Sequence, residues 1–216
     1  MTYPHIPNLI HLYRGGGIKG LKHVCDKLNS YPTKYISEKV DGINVSLSID
    51  EGVLKLKSRG GRPIKDKERG SEFKWLLSFY HRHKEEISRL LCPGHVIYLE
   101  YVPPPEVRPP YLKFDYGKPF IAFLDLWVNK FIPYEWAEVI VSWLGNLGVR
   151  FIQHTEVEEV RCEQLIDLLK SLDRKSEYGP TRVEGFVIKA YSTKGHFYLK
   201  IKDEDLPLLK SLEGDY

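Results

Sequence analysis

Between Val45 and Leu56 the chain alternates apolar and polar residues with a period of two. Val45, Leu47 and Ile49 interleave with Ser46 and Ser48; after Asp50-Glu51-Gly52, Leu54 and Leu56 interleave with Lys55 and Lys57. Successive side chains of a strand point to opposite faces, so the pattern predicts an antiparallel hairpin with one buried face and a turn at 50–52. Such a face must be covered by another layer, which commits the chain to a layered architecture containing sheet. Charged stretches flank the hairpin at both ends: Glu38-Lys39-Val40-Asp41-Gly42-Ile43-Asn44 before it and Ser58-Arg59-Gly60-Gly61 after it. Antiparallel pairing is expected to bring Lys39 and Arg59 near each other.

Helical spacing predicts further elements. Ile18, Leu21, Val24, Cys25 and Leu28 predict a helix over 18–28, following Gly15-Gly16-Gly17 and ending before Pro32. The glycine run lacks the Gly-Lys-Ser/Thr ending of a phosphate cradle and reads as a loop or helix start. Phe73, Leu76, Leu77, Tyr80, Ile87, Leu90 and Leu91 predict a long amphipathic helix over 71–91, with Ser71 as its N-cap. His81 and His83 on it face different sides, so they do not form a metal pair. A strand over Val96–Val102 carries Glu100 among apolar residues, and the prolines at 103–105 and 109–110 predict an extended connector. Residues 120–128 read as a buried strand. Trp136, Val139, Ile140, Trp143, Leu144 and Leu147 predict a helix with core aromatics, followed by a short strand near 149–152 and a helix around 165–172. Strands over 185–190 and 197–202, turning at Thr193-Lys194-Gly195, end the pattern. No linker interrupts it, so one α+β domain over residues 1–216 is expected, with antiparallel sheets flanked by helices.

The net charge of +3 allows a nucleic-acid partner without demanding one. Cys25, Cys92 and Cys162 are too few and too scattered for a disulfide framework or a Cys-x-x-Cys zinc site. No apolar run approaches membrane-spanning length, and the start lacks a signal-peptide pattern, so a cytoplasmic protein with no membrane partner is expected.

Lys39 stands beside an Asp-Gly pair where a strand-like run gives way to a turn. A lysine there is usually solvated. To act as a nucleophile it would have to fall by roughly 3 units from a pKa of ~10.4, which neighbouring cations and a partly dry pocket can supply. Four stretches follow in order: Ser58-Arg59-Gly60-Gly61, Tyr98-Leu99-Glu100-Tyr101, Glu184-Gly185-Phe186-Val187-Ile188-Lys189 and Tyr198-Leu199-Lys200-Ile201-Lys202, with Phe120–Leu126 between the second and third. Together with the Lys39 stretch they resemble the collinear motifs of the covalent nucleotidyltransferases, the superfamily of ATP-dependent polynucleotide ligases and mRNA capping enzymes.

The resemblance implies an ATP-grasp-like ligase adenylation fold and a chemistry. Lys39 would attack the α-phosphorus of ATP to form a lysyl-adenylate. Glu184 would hold Mg²⁺ or Mn²⁺. Glu100 would contact the ribose, and Arg59 the ribose or the nucleic-acid end. Lys189, Lys200 and Lys202 would face phosphate, the last two from one side of a strand. Glu38, Val40 and Asn44, in and after the lysine motif, join the nucleotide-binding set. Phe123 is the expected adenine-stacking aromatic, since Leu124 occupies the position before Asp125. Asn44 matches the Lys-x-x-Gly-Thr-Asn motif of the RNA ligase 2-type branch, while Asp41 follows the DNA-ligase and capping form. Ile43 stands where threonine or arginine is common, and the missing arginine argues against a DNA ligase. The resemblance therefore implies an RNA ligase sealing 5′-phosphate and 3′-hydroxyl ends. A minimal DNA ligase and a non-catalytic end-binding module are the alternatives. The stretch after Lys202 leaves no room for an OB-fold or helical C-terminal domain, whose function a separate protein could supply.

Overall fold

A computed structural model describes residues 2–13, 17–65 and 70–212. Among them are six α-helices: α1 (Leu9–Tyr13), α2 (Gly17–Asn29), α3 (Lys74–Leu90), α4 (Tyr134–Asn146), α5 (Cys162–Lys170) and α6 (Pro207–Leu212). The strands are β1 (Thr33–Lys39), β2 (Ile43–Asp50), β3 (Val53–Ser58), β4 (His95–Val102), β5 (Phe120–Val128), β6 (Arg150–Phe151), β7 (His154–Glu156), β8 (Gly185–Ser192) and β9 (Gly195–Lys202). The chain forms two compact units: Asp41–Ile152 with the N-terminal residues through Pro4, and His5–Val40 with the residues from Gln153 onward. No described helix is long and apolar enough to cross a membrane.

The first unit is built on a five-stranded sheet ordered β3-β2-β4-β5-β6, in which only β6 runs parallel to its neighbour. The expected hairpin is β2–β3, pairing Leu47 with Leu56 and Ile49 with Leu54. Its apolar face, continued by Leu99, Tyr101 and Phe123, lies under α3 and α4: the Tyr80 hydroxyl donates to the Leu54 carbonyl at 2.6 Å, and Tyr134 sits 6.4 Å from Phe123. The other face is polar and carries Asn44, Ser46, Tyr98 and Glu100. β5 contains a bulge. Tyr98 pairs with Asp125 but Leu99 pairs with Phe123, so Leu124 is the extra residue. As a result Asp125 joins the polar face while Phe123 stays on the apolar one.

Two expectations about helices are corrected. Ser71 does not cap α3; it opens a 3₁₀ turn, Ser71–Phe73, that leads into the helix, whose N-cap position is taken by Phe73 with no side-chain capping bond. The α4 aromatics are not all core: Tyr134, Ala137 and Leu144 are buried, but Trp136 is 69 % and Val139 80 % exposed. α4 is apolar on more than one stripe, and periodicity alone does not select the stripe that meets the sheet. Of the triple glycine, Gly15 and Gly16 lie outside the described residues, and Gly17 opens α2.

The second unit packs α1, α2, α5 and α6 on one face of a four-stranded sheet ordered β7-β1-β8-β9. Ile36, Phe186, Ile188, Leu199 and Ile201 point into this core, meeting Leu21, Leu28, Leu165 and Leu208. Beyond Lys202 the chain folds back. Asp205, fully buried, accepts the backbone N–H of Ile10 at 2.7 Å and of Lys202 at 2.8 Å, and so ties α1 to the end of β9.

Burial pushes the Asp205 carboxyl above its usual range, against the pull of those two hydrogen bonds. The folded chain then holds this proton more tightly than the unfolded chain. The group's contribution to stability therefore grows as pH falls from the raised value toward the ordinary ~3.9, and is lost as pH rises back through that window. Asp205→Asn, which cannot titrate, is expected to cost about 1–3 kcal/mol. Its deficit in urea unfolding should widen between about pH 7 and about pH 4.5. A deficit that narrows on acidification would show that the folded carboxyl is not raised.

Candidate active site

Lys39, Gly185 and Lys202 form one cross-strand row on β1, β8 and β9. Cross-strand partners share a face, so Lys39 and Lys202 rise from the same side, two strand spacings or roughly 10 Å apart. Gly185 between them is required by the packing, because a Cβ there would overlap the Ile201 carbonyl oxygen. The gap it leaves is crossed by the carboxylate of Glu184, buried to 5 % exposure. One of its oxygens accepts from Lys39 Nζ at 2.6 Å, and the other lies 3.3 Å from Lys202 Nζ. Lys39 Nζ also reaches the carbonyl of buried Val40 at 3.4 Å.

Alternation places Lys200 and Lys189 on the same face as Lys39 and Lys202. Lys189 is buried, its amine 5.6 Å from the centre of the Tyr198 ring. One sheet face thus carries four lysines around a single bridging carboxylate, an arrangement that matches a polyanion such as a polyphosphate. Glu38 is different. It points to the opposite face, where it accepts from the Ser176 hydroxyl and, at 3.2 Å, from the Glu177 N–H. It borders a 290 Å³ cavity with Arg174, Gln164 and Phe186, and burial raises its carboxyl above the usual range. The structure therefore does not bring the Glu38 side chain together with Lys39.

The remaining expected residues belong to the first unit. Asn44 and Glu100 are directly opposed on β2 and β4. Glu100 accepts the Gly42 N–H at 3.1 Å, and a Cβ on Gly42 would come within 2.7 Å of the Tyr101 carbonyl oxygen and 2.8 Å of Glu100 Cγ. Only glycine allows the chain to pass Glu100 so closely. Asn44 Nδ2 donates to the Leu99 carbonyl at 3.5 Å, whereas its Oδ1 is buried with no hydrogen-bond partner. An orphaned acceptor costs stability, which a ligand donor would recover. Beside Glu100 on the polar face are Tyr98 and Asp125. Burial and the Asp125 charge push the Tyr98 hydroxyl up to about 12. Phe123 is on the other face, stacked against Phe151, and Arg59 lies exposed in the turn after β3.

Three contributors were not expected. Asp41 is more than a turn residue: its Oδ2 accepts from the N–H of Lys113 at 2.6 Å and of Phe114 at 3.1 Å, and its own N–H donates to the Tyr116 hydroxyl at 2.9 Å. The second is Asp205, which fixes the strand end that carries Lys202. The third is Tyr3, whose hydroxyl donates to Asp125. The Asp-Gly pair was the only sequence signal for any of these.

Among the described residues no group of three or more His, Cys, Asp and Glu is arranged to hold a metal. Magnesium-type ions commonly take one or two carboxylates and complete their shell with phosphate and water. Glu184 fits an ion shared with a bound polyphosphate and does not fit a site made by protein alone.

The family model described as RNA ligase matches residues 33–202. No curated protein matches the chain by sequence. By structure the chain is similar to the Naegleria gruberi RNA ligase with PPi, at 14 % identity and a TM-score of 0.64, over 99 % of this chain and 58 % of that one. A variant of the same enzyme with ATP and Mn gives 15 % identity and a TM-score of 0.66, over 98 % and 59 %. A candidate ATP-dependent DNA ligase from Aquifex aeolicus gives 20 % and 0.57, over 97 % and 51 %. The chain thus spans between half and three fifths of these relatives, and the likeness to them establishes the fold.

Proposed function

The chain belongs to the RNA ligase family of covalent nucleotidyltransferases, and on that premise we propose that it seals nucleic-acid ends, RNA in preference to DNA, through an adenylate carried on Lys39. The observation that carries this reading is the bridge in which Glu184 holds Lys39 and Lys202 over Gly185. In the first step Lys39 Nζ, having shed a proton and turned from Glu184, attacks the α-phosphorus of ATP. A P–N bond forms, the bond to the bridging oxygen breaks, and pyrophosphate leaves. Lys202, Lys200 and Lys189, on the same face, disfavour a further positive charge at Lys39 and offset the negative charge spread over the phosphoryl oxygens. Glu184 would hold Mg²⁺ or Mn²⁺ against the polyphosphate, and such an ion supplies Lewis-acid neutralisation of the phosphate charge.

Asn44 and Glu100 supply a hydrogen-bonding pair suited to ribose hydroxyls, with the orphaned Asn44 Oδ1 able to accept from one of them. The next step is attack of a 5′-phosphate oxygen on the adenylate phosphorus, which frees Lys39. Attack of a 3′-hydroxyl on the activated 5′-phosphate then expels AMP and joins the strand. Incubation with α-labelled ATP and Mg²⁺ or Mn²⁺, followed by a 5′-phosphorylated RNA nick and the matching DNA nick, tests the scheme. Label on the protein that passes to RNA, with the RNA nick sealed faster, is expected. Faster sealing of DNA would make it a DNA ligase. Nucleic-acid binding without any adduct would leave an end-binding module.

A further inference from the structure

The loop joining β4 to β5 is stiffened by five prolines between Pro103 and Pro110, each with its backbone torsion locked by its ring. Its inner side is fastened. Lys113 and Phe114 donate to Asp41, Leu112 is buried, and the Leu112 N–H closes a turn on the Pro109 carbonyl at 3.0 Å. An Arg108–Asp115 ion pair ties the two limbs together. At the third position of that turn Tyr111 projects outward, 66 % exposed. Arg108, three residues earlier, has a buried Nε with no hydrogen-bond partner, a donor left over for an anion. Exposed Lys113 adds a second cation. The anchor of the loop, Asp41, is two residues along the chain from Lys39.

A solvent-facing ring on a braced loop, with Arg108 and Lys113 within three residues of it along the chain, has the chemistry of a stacking site for a base whose phosphate is met alongside. We propose that Tyr111 stacks on an unpaired nucleobase at the end of the nucleic-acid strand, with Arg108 meeting that nucleotide's phosphate. The proposal rests on the ligase reading for its biological use, but the binding it names can be measured without turnover. Stacking tolerates any base, so the contact positions the end without reading its sequence.

The test uses the full chain and a 5′-phosphorylated oligoribonucleotide carrying 2-aminopurine at its terminal position. Stacking on Tyr111 should quench the fluorophore on binding. Tyr111→Ala should abolish the quench and weaken binding and the sealing KM about tenfold, with the rate of self-adenylation within about twofold of the parent. Tyr111→Trp and Tyr111→Phe should restore both readouts. An alanine variant that binds and quenches like the parent overturns the proposal. So does a phenylalanine variant as weak as alanine, which would assign the effect to the hydroxyl, or a deficit already present in self-adenylation, which would assign it to the Asp41 anchorage. A parent that quenches the probe but forms no adenylate refutes the ligase reading and leaves the stacking site standing.

Discussion

Lys39→Ala is expected to abolish transfer of label from α-labelled ATP to the protein, by at least about 1000-fold, because no other group replaces a lost covalent nucleophile. The fold should survive the change. The Lys39 side chain is 23 % exposed, and Glu184 keeps Lys202 at 3.3 Å when Lys39 is gone, so the thermal midpoint should stay close to the parent's. Lys39→Arg should fail as completely, since a guanidinium keeps its proton and cannot attack. A strand supplied already adenylated at its 5′ end bypasses the amine, and sealing of that strand should fall far less than sealing from ATP. Equal losses on both substrates would make Lys39 a phosphate clamp and not the nucleophile. An adduct that persists in Lys39→Ala would place the chemistry elsewhere.

Glu184→Gln should lower self-adenylation about 100-fold, in the range seen when a group that orients metal or ligand is lost. The amide keeps the shape of the carboxylate but presents an NH₂ group to one of the two ammonium groups now bridged by Glu184, and it removes the negative charge between them. It also removes the carboxylate proposed to meet an ion on the polyphosphate. The parent and variant should therefore differ most at low divalent-ion concentration and converge partly as it rises. A variant that adenylates at the parental rate with the same metal dependence would remove Glu184 from the site. Lys202→Ala offers a contrast: it spares the carboxylate, so the metal dependence should stay parental even if the rate falls.

Much of this arrangement is legible in the sequence because period-two alternation fixes which residues share a face. Lys200 and Lys202 on one side of β9, and the hairpin of β2 and β3, follow from that rule alone. The rule also gives the opposite sense to Glu38, adjacent to Lys39 in the chain, yet the motif drew Glu38 into the nucleotide set. Its partners Ser176 and Glu177 lie 138 and 139 residues away, a separation no local pattern reveals. Phe123 fails to join Glu100 for another reason: the bulge at Leu124 breaks the alternation that would place Phe123 and Asp125 together. Local pattern does not reveal that Asp41 accepts from Lys113 and Phe114 or Asp205 from Ile10, because the tertiary fold brings those N–H groups to them.

The extra residue at 124 acts as a half-wavelength phase shift within a single strand. Upstream of it, odd-numbered positions supply the greasy side; downstream, even-numbered ones do, so Leu126 and Phe123 can both lie in the dry layer while Asp125 stays wet-side. Excising Leu124 would make Phe123 and Asp125 consecutive, so each would keep its present face and Leu126 would stay in the dry layer; only the bulge itself would be lost. A single-residue deletion at 124 should therefore cost less in thermal stability than deletion of Leu126, which removes a buried side chain and reverses the sense of Trp127 and Val128.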